Sequence, residues 1–196
     1  MEKQVMISIS REFGSGGRRI AEKVAEDLGL PLYDRNLLDA IAKEKDVDAE
    51  HLQKFDEKPR NPILSRSVSG HSNSMEENLV KMQFEYLQKK ADSGESFVVL
   101  GRCAETALKG RDGLISVFVL GDKEKKLVHV KDKYQLSDTE ATLKMVRHDK
   151  KRKLYHNRYS DFKWGDSRGY DLCINSSRLG IEKTAAMIEN YVKERI

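Results

Sequence analysis

The sequence predicts a three-layer α/β fold, with a five-stranded parallel sheet that has helices on both faces. Three observations predict it. Five short runs have the composition of strands, helical patterns separate them, and several runs are apolar throughout, as in parallel strands buried on both faces. A chain that alternates strands and helices in this way builds its sheet through right-handed crossovers. The predicted strands are Val5–Ile9, Pro31–Tyr33, Phe97–Leu100, Ile115–Leu120 and Asp171–Ile174.

The composition favours a single domain that binds anionic small molecules. With 196 residues, we expect one domain over residues 1–196. No apolar run is long enough to cross a bilayer and no signal-peptide pattern is present, so we expect a cytoplasmic protein with no membrane partner. Cys103 and Cys173 lack the spacing of metal ligands. The net charge of +4 suits small anions and is too small to argue for nucleic acid.

A glycine-rich turn after the first predicted strand is the most informative segment. The turn leads into a predicted helix over Arg18–Leu28. Glycines let backbone N–H groups converge, and the N-terminus of a helix attracts negative charge, so this order of elements predicts a phosphate cradle. A tight strand-to-helix turn with exposed arginines is the alternative. The predicted phosphate-binding residues are Gly14, Ser15, Gly16, Gly17, Arg18 and Arg19.

The segment departs from the P-loop pattern G-x-x-x-x-G-K-S/T. Arg11 stands at the first glycine, Gly16 fits the second, Gly17 takes the lysine position and Arg18 takes the hydroxyl position. We therefore expect Arg18 or Arg19 to supply the missing positive charge, because a guanidinium binds phosphate through two parallel hydrogen bonds. No protein ligand for a metal is predicted, and Mg²⁺ would be held mainly by substrate phosphates and water.

Polar residues follow the predicted strands at positions that meet at one edge of the sheet. Ligands of parallel α/β sheets bind at the carboxyl ends of the strands. For each segment, an ordinary loop residue is the alternative. Asp34, Arg35 and Arg102 are the predicted acceptor-binding residues; Asp34 either recognises an acceptor base or ribose or caps a helix over Arg35–Ala42. The segments expected around one crevice are Gly14–Arg19, Asp34-Arg35, Gly101-Arg102 and Asn175.

A basic region over residues 137–169 is expected to form a lid. Ser137 and Glu140 have the spacing of a capping box that opens a helix, and the helix carries many lysines and arginines. Crowded like charges repel unless an anion screens them, which favours closure over phosphates; a solvated basic helix and a nucleic-acid patch are the alternatives. Arg147 and Arg152 are the predicted clamps of this region, and Trp164–Asp166 is a predicted turn.

Other polar side chains of the chain are not expected to take part in catalysis directly. Asp149 and Asp166 are expected to orient lid arginines or to pair with them. His148 and His156 are interpreted as surface histidines rather than catalysts, and Cys103 as a small buried residue rather than a nucleophile.

Residues 46–93 are a possible helical insert on the acceptor side. The stretch Lys58–Ser74 holds two of the three prolines and many serines, which predicts a loop. A loop of this length either closes over a substrate or joins two helices. Ser74 is a predicted helix N-cap, and the helix is expected to run to about Ala91.

Taken together, these segments resemble the cytidylate-kinase-like family. The resemblance runs in order through nearly the whole chain. It implies a P-loop kinase fold of the nucleoside-monophosphate-kinase type, with a lid, and transfer of the γ-phosphate of ATP to CMP or dCMP. The segments that carry it are Ile7-Ser-Ile-Ser-Arg-Glu-Phe-Gly-Ser-Gly-Gly-Arg18, Leu32-Tyr-Asp-Arg35, Val99-Leu-Gly-Arg102, Asp149-Lys-Lys-Arg152, Trp164-Gly-Asp166 and Tyr170-Asp-Leu-Cys-Ile-Asn175.

The match with true cytidylate kinases is uneven. Arg147 and Arg152 resemble lid arginines. The chain departs at Gly17, where the family has its catalytic lysine, at Arg35, where it has a serine, and at Cys103, where it has an aspartate. The matching site residues are Gly14, Ser15, Gly16, Asp34 and Arg102.

The first functional hypothesis is a kinase that moves the γ-phosphate of ATP to a nucleotide-like acceptor, with Arg18, Arg102, Arg147 and Arg152 as catalytic residues. The second is a non-catalytic nucleotide sensor, which the missing lysine favours. The third is a nucleic-acid-binding module that uses the basic helix, whose binding would depend steeply on salt.

Overall fold

The computed structural model describes residues 3–46, 48–54, 67–68, 71–72 and 74–196. Its main sheet has five parallel strands in the order β2-β5-β1-β6-β7, which confirms the predicted fold class. A second, antiparallel pair joins β3 to β4. The strands are β1 Met6–Arg11, β2 Leu32–Tyr33, β3 Ser67–Val68, β4 His71–Ser72, β5 Phe97–Leu100, β6 Leu114–Leu120 and β7 Leu172–Asn175.

Helices cover both faces of this sheet and make the three layers. On one face, α1 and α8 pack their apolar residues against β1, β5 and β6. On the other face, α2, α4 and α5 pack against Met6, Phe97 and Val99. Successive residues of a strand point to opposite faces, so the apolar runs of β1 and β5 supply both cores. The helices are α1 Gly17–Asp27, α2 Asn36–Lys45, α3 Ala49–Gln53, α4 Met75–Asp92, α5 Ala104–Ala107, α6 Lys123–Tyr134, α7 Asp138–Tyr159 and α8 Ser176–Arg195.

The predicted helix starts agree with the structure where a side chain caps the helix. Ser137 and Glu140 form the complete capping box of α7, and Ser74 accepts the N–H of Glu77 at the start of α4. Most of the predicted loop over Lys58–Ser74 lies outside the described residues. Among the described helices, none has the length and apolarity that a membrane span requires.

The central position of β1 decides where the site lies. Its neighbours β5 and β6 run parallel to it on either side, and Met6, Ile7 and Ile9 are fully buried. The chain leaves β1 at Arg11 and enters α1 at Gly17. The glycine-rich turn therefore lies at the middle of the carboxyl edge of the sheet.

Candidate active site

An open cavity of about 730 Å³ lies at the carboxyl ends of the strands. Among the described residues that line it are eight lysines and arginines against three acidic residues. This excess of positive charge favours a polyanionic ligand. The walls bring together most of the predicted site residues, namely Gly14, Gly16, Gly17, Arg18, Arg19, Asp34, Arg35, Arg102 and Arg152.

The turn between β1 and α1 has the geometry of an anion cradle. Gly16 has φ 77°, and a Cβ there would lie 2.4 Å from Cδ1 of Ile181, so only glycine fits this position without strain. Gly16 is also the N-cap of α1, and no side chain caps the helix. The first N–H groups of α1, on Gly17, Arg18 and Arg19, have no partner within the helix. These residues line the cavity, and their N–H groups can bind a phosphate there.

Ser15 stabilises the turn from behind. It is buried, and it is not among the described residues that line the cavity. Its Oγ donates to the carbonyl of Glu12 at 2.9 Å, and its own carbonyl accepts from Oγ of Ser176 at 2.6 Å. The Ser15 hydroxyl therefore holds the shape of the cradle.

The basic helix α7 docks directly on the turn. The N–H of Phe13 donates to Asp149 Oδ1 at 2.7 Å, and Arg152 Nη1 donates to the carbonyl of Arg11 at 3.2 Å. The Phe13 ring stacks on His148 with the ring centroids 4.3 Å apart. Asp149 also lies 3.7 Å from Arg152. Helix α7, which the sequence predicts as a lid, therefore packs against the turn between β1 and α1.

This environment lowers the pKa of two histidines in the cavity wall. Burial lowers the pKa of His148, and the nearby Arg152 and Lys144 lower it further. Burial also lowers the pKa of His129, with a further contribution from Lys133. Both imidazoles are therefore held toward the neutral form.

Arg102 is the buried cation of the site. It follows β5, lines the cavity and is only 3% exposed. Its φ is 61°, between Gly101 at 77° and Cys103 at 53°. Two consecutive left-handed residues other than glycine are strained, and such strain is concentrated at functional sites. Cys103 is buried, as the sequence predicts.

Arg18 and Asp34 face each other across the cavity mouth. Arg18 Nε contacts Glu22 Oε1 at 2.9 Å, and its Nη2 lies 3.4 Å from Asp34 Oδ2. Asp34 does not cap α2: the N-cap is Arg35, and the N–H of Asp34 donates to the side chain of Asn36. The alternative role of Asp34 as a helix cap was wrong.

The two predicted lid arginines differ in position. Arg152 lies in the cavity wall, whereas Arg147 is exposed on α7 and is not among the described residues that line the cavity. The separation of five residues turns the two side chains to different sides of a helix with 3.6 residues per turn. The geometry favours Arg152 over Arg147 as a phosphate clamp.

His156 is buried, and its interpretation as a surface residue was wrong. Its Nε2 lies 2.8 Å from Glu105 Oε1 and 3.2 Å from the hydroxyl of Tyr170. The second carboxylate oxygen of Glu105 accepts from Oγ of Ser8 at 3.1 Å. This network ties α7 to the central strand, one turn beyond Arg152.

Of the described His, Cys, Asp and Glu side chains, one group could hold a metal ion: Cys103, Glu105 and His156, whose donor atoms lie within 4.8 Å of one another. Glu105 and His156 already satisfy each other and contact Ser8 and Tyr170. These contacts engage the Glu105 carboxyl group and Nε2 of His156, whereas Nδ1 of His156 has no hydrogen-bond partner among the described residues. At the cavity, Asp34 and Glu22 offer carboxylates near the phosphate cradle.

Helix α6 also contributes to the cavity, which was not predicted from the sequence. His129, Lys133 and Tyr134 line the cavity. His129 and Lys133 are four residues apart, as are Val130, which also lines the cavity, and Tyr134; residues four apart lie on the same side of a helix, and this spacing was the available signal. Arg11 was noted only as a departure from the P-loop pattern, yet it also lines the cavity.

A match to a family model identifies the family of the chain. The model of the cytidylate kinase-like family matches residues 6–178. The chain belongs to the cytidylate kinase-like family. Among curated proteins, none matches the sequence.

Several solved structures share the fold of this chain. An uncharacterized protein from Eubacterium ventriosum has 37% sequence identity, with 97% of this chain and 99% of that chain covered and a TM-score of 0.76. The shikimate kinase of Bacteroides thetaiotaomicron has 14% identity, a TM-score of 0.55 and coverage of 96% and 98%. The shikimate kinase of Acinetobacter baumannii, solved with shikimate, has 15% identity, a TM-score of 0.51 and coverage of 98% and 95%. The shikimate kinases share the fold of this member of the cytidylate kinase-like family.

Proposed function

We propose that the protein is a phosphotransferase that moves the γ-phosphate of ATP to a nucleoside monophosphate such as CMP or dCMP, or to a related small acceptor. The observation that carries the proposal is the cavity itself, which is lined both by the uncapped N-terminus of α1 and by the buried Arg102 at the end of β5. Phosphoryl transfer requires two phosphate groups held in line and positive charge around the transferred group. The cavity offers separate cationic contacts for both.

The donor is assigned to the turn and the acceptor to the strand ends. N–H groups of Gly17, Arg18 and Arg19 would hold the β- and γ-phosphates. Asp34, Arg35 and Arg102, at the ends of β2 and β5, would hold the acceptor. A phosphate oxygen of the acceptor then attacks the γ-phosphorus, the bond from that phosphorus to the bridging oxygen breaks, and ADP leaves.

The closing helix and Mg²⁺ complete the assignment. Arg152 lines the cavity and donates to the Arg11 carbonyl, and from this position it would neutralise charge that develops in the transition state. When bound with the nucleotide, Mg²⁺ would withdraw negative charge from its phosphates. The substrate phosphates and water would be its main ligands. Since the donor is ATP, we propose a cytoplasmic location.

The test is a turnover screen with the purified protein. Mg·ATP is incubated with each nucleoside monophosphate in turn, and ADP formation is measured with a coupled assay. We expect turnover with one acceptor class and a loss of about 10²–10³-fold in kcat for Arg102→Gln. Arg111→Gln is the matched control, because Arg111 pairs with Asp92 just before β6 and is not among the described residues that line the cavity.

A nucleotide sensor without catalysis is the second candidate, and Gly17 at the lysine position favours it. This candidate predicts that Mg·ATP raises the melting temperature while no acceptor supports turnover. Turnover above the Arg102→Gln background excludes the sensor. Absence of both thermal stabilisation and turnover excludes both functions.

A further inference from the structure

The structure shows what occupies the space over Gly17, where the P-loop pattern has its lysine. A Cβ added at Gly17 would lie 2.5 Å from Cβ and 3.0 Å from Cγ of Arg11. Real Cβ atoms do not approach another carbon so closely, and the nearer atom is bonded directly to the Arg11 backbone. The stem of Arg11 therefore passes over Gly17, through the space that the first atoms of a lysine side chain would need.

Arg11 enters this space from a rigid support. It is the last residue of β1, the central strand. The carbonyl of Arg11 accepts from Arg152, and the N–H of the next residue, Glu12, donates to Val119 of β6 at 2.9 Å. Arg11 is half-buried and lines the same cavity as Gly17. These bonds fix the backbone from which the Arg11 side chain starts, so the position of its stem is set by the strand.

From this geometry we infer that Arg11 supplies the positive charge of the missing lysine. Its guanidinium donates to the β- and γ-phosphates of the bound nucleoside triphosphate. This inference rests on the proposed function and names the residue that holds the donor. Compared with the usual P-loop, two residues are exchanged: Arg11 stands where the pattern has a glycine, and Gly17 stands where it has the lysine. In both arrangements the glycine leaves room for the long basic side chain at the other position.

The other two candidates for this role are less well placed. Arg18 contacts Glu22 and Asp34, and its side chain is 59% exposed. Arg19 is exposed on the first turn of α1. Neither stem crosses the cradle from a strand, whereas Arg11 does. The sequence-based choice of Arg18 or Arg19 considered only neighbours in the chain and so missed the strand residue.

The experiment compares binding of a non-hydrolysable ATP analogue and of ADP, each with Mg²⁺, to the full chain and four variants. Arg11→Gln is expected to weaken analogue binding by about 10- to 100-fold, because charge-assisted phosphate contacts are strong. The loss for ADP is expected to be smaller, since ADP lacks the γ-phosphate. Arg111→Gln, at a position that is not among the described residues lining the cavity, is the control and is expected to bind both as the unchanged protein does.

The decisive pair is Arg11→Gly and the double variant Arg11→Gly with Gly17→Lys. Arg11→Gly removes the stem and is expected to lose binding as Arg11→Gln does. The double variant restores the standard pattern, and it is expected to regain at least about tenfold in affinity for the ATP analogue. Circular dichroism confirms that each variant is folded before binding is measured.

Three results would overturn the inference. The first is that Arg11→Gln binds the ATP analogue as tightly as the unchanged protein does. The second is that Arg11→Gln loses the same affinity for the analogue and for ADP. The third is that the folded double variant binds the analogue no more tightly than Arg11→Gly does. In each case turnover of the unchanged protein still supports the proposed function. If the unchanged protein binds no nucleotide, the proposed function fails and takes the role of Arg11 with it.

Discussion

The buried contact between His156 and Glu105 supports the sharpest stability prediction. His156→Ala removes a ring that is 3% exposed, together with its 2.8 Å contact to Glu105 and its 3.2 Å contact to Tyr170. Glu105 keeps its bond from Ser8 but loses its imidazole partner inside the protein. Because this network holds the C-terminal half of α7 against the sheet, the change tests how this helix is anchored.

The expected loss of stability follows from two destabilising contributions and one that offsets them in part. Loss of a buried hydrogen bond to a carboxylate costs about 1.5–3 kcal/mol, and the space left by an aromatic ring costs about 2–3 kcal/mol more at a site that relaxes in part. His156 Nδ1 is a buried atom with no hydrogen-bond partner among the described residues. Its removal returns about 1–2 kcal/mol. The net destabilisation is therefore about 3 kcal/mol, which is a large share of a typical stability of about 5–15 kcal/mol.

Urea unfolding followed by circular dichroism measures this cost. His129→Ala is the matched control, because His129 lies on the cavity wall and is less buried, and it is expected to cost less than about 1 kcal/mol. A double-mutant cycle with Glu105→Ala is expected to give a coupling of at least about 1 kcal/mol. A cost below about 1 kcal/mol for His156→Ala, or additivity in the cycle, would refute the reasoning.

Three further predictions concern the cavity wall. Arg102→Gly is expected to be about 1 kcal/mol more stable than Arg102→Ala in urea, because only glycine accepts a left-handed backbone without strain; equal midpoints would contradict this. The pKa of His148 is lowered in the folded protein, so the unfolded chain binds a proton at this histidine more readily. The contribution of His148 to stability is therefore fully present at pH values above the ordinary pKa of about 6.5. It falls as the pH drops below that pKa, by at most about 1.4 kcal/mol per pH unit. His148→Phe keeps the ring stack and should reduce that slope in urea titrations at several pH values, whereas an unchanged slope would exclude the assignment. Phe13 packs among the apolar residues of α6 and α7, so Phe13→Ala is expected to cost about 2–3 kcal/mol and to weaken nucleotide binding measured by calorimetry; unchanged stability would show that the turn does not depend on α7.

The agreement between sequence and structure is good where a signal is local. The apolar run of β1, the glycine turn and the start of α1 lie next to one another in the chain, and each was predicted within a residue or two. The capping box at Ser137 depends on a spacing of three residues and was likewise found. Short-range patterns of this kind follow from backbone geometry and from hydrogen bonds between near neighbours, and a single sequence contains them.

The errors concern contacts between distant parts of the chain. His156 was interpreted as a surface residue of a basic helix, yet it is buried and its partner Glu105 lies 51 positions away. Arg147 and Arg152 lie in the same stretch of lysines and arginines, so the sequence does not distinguish their roles. Only the packing of α7 on the turn shows that Arg152 lines the cavity and that Arg147 does not. The helical pattern does not indicate which side of a polar helix will face the protein.

By itself, the sequence determined that parallel strands alternate with helices and that a glycine-rich turn follows the first strand, because periodicity and glycine placement act within a few residues. Only the tertiary structure decided that β1 lies between β5 and β6, that α7 packs against the turn, and that the stem of Arg11 lies over Gly17. These outcomes depend on how whole elements pack in three dimensions, and packing is a property of surfaces that meet only after the chain has folded.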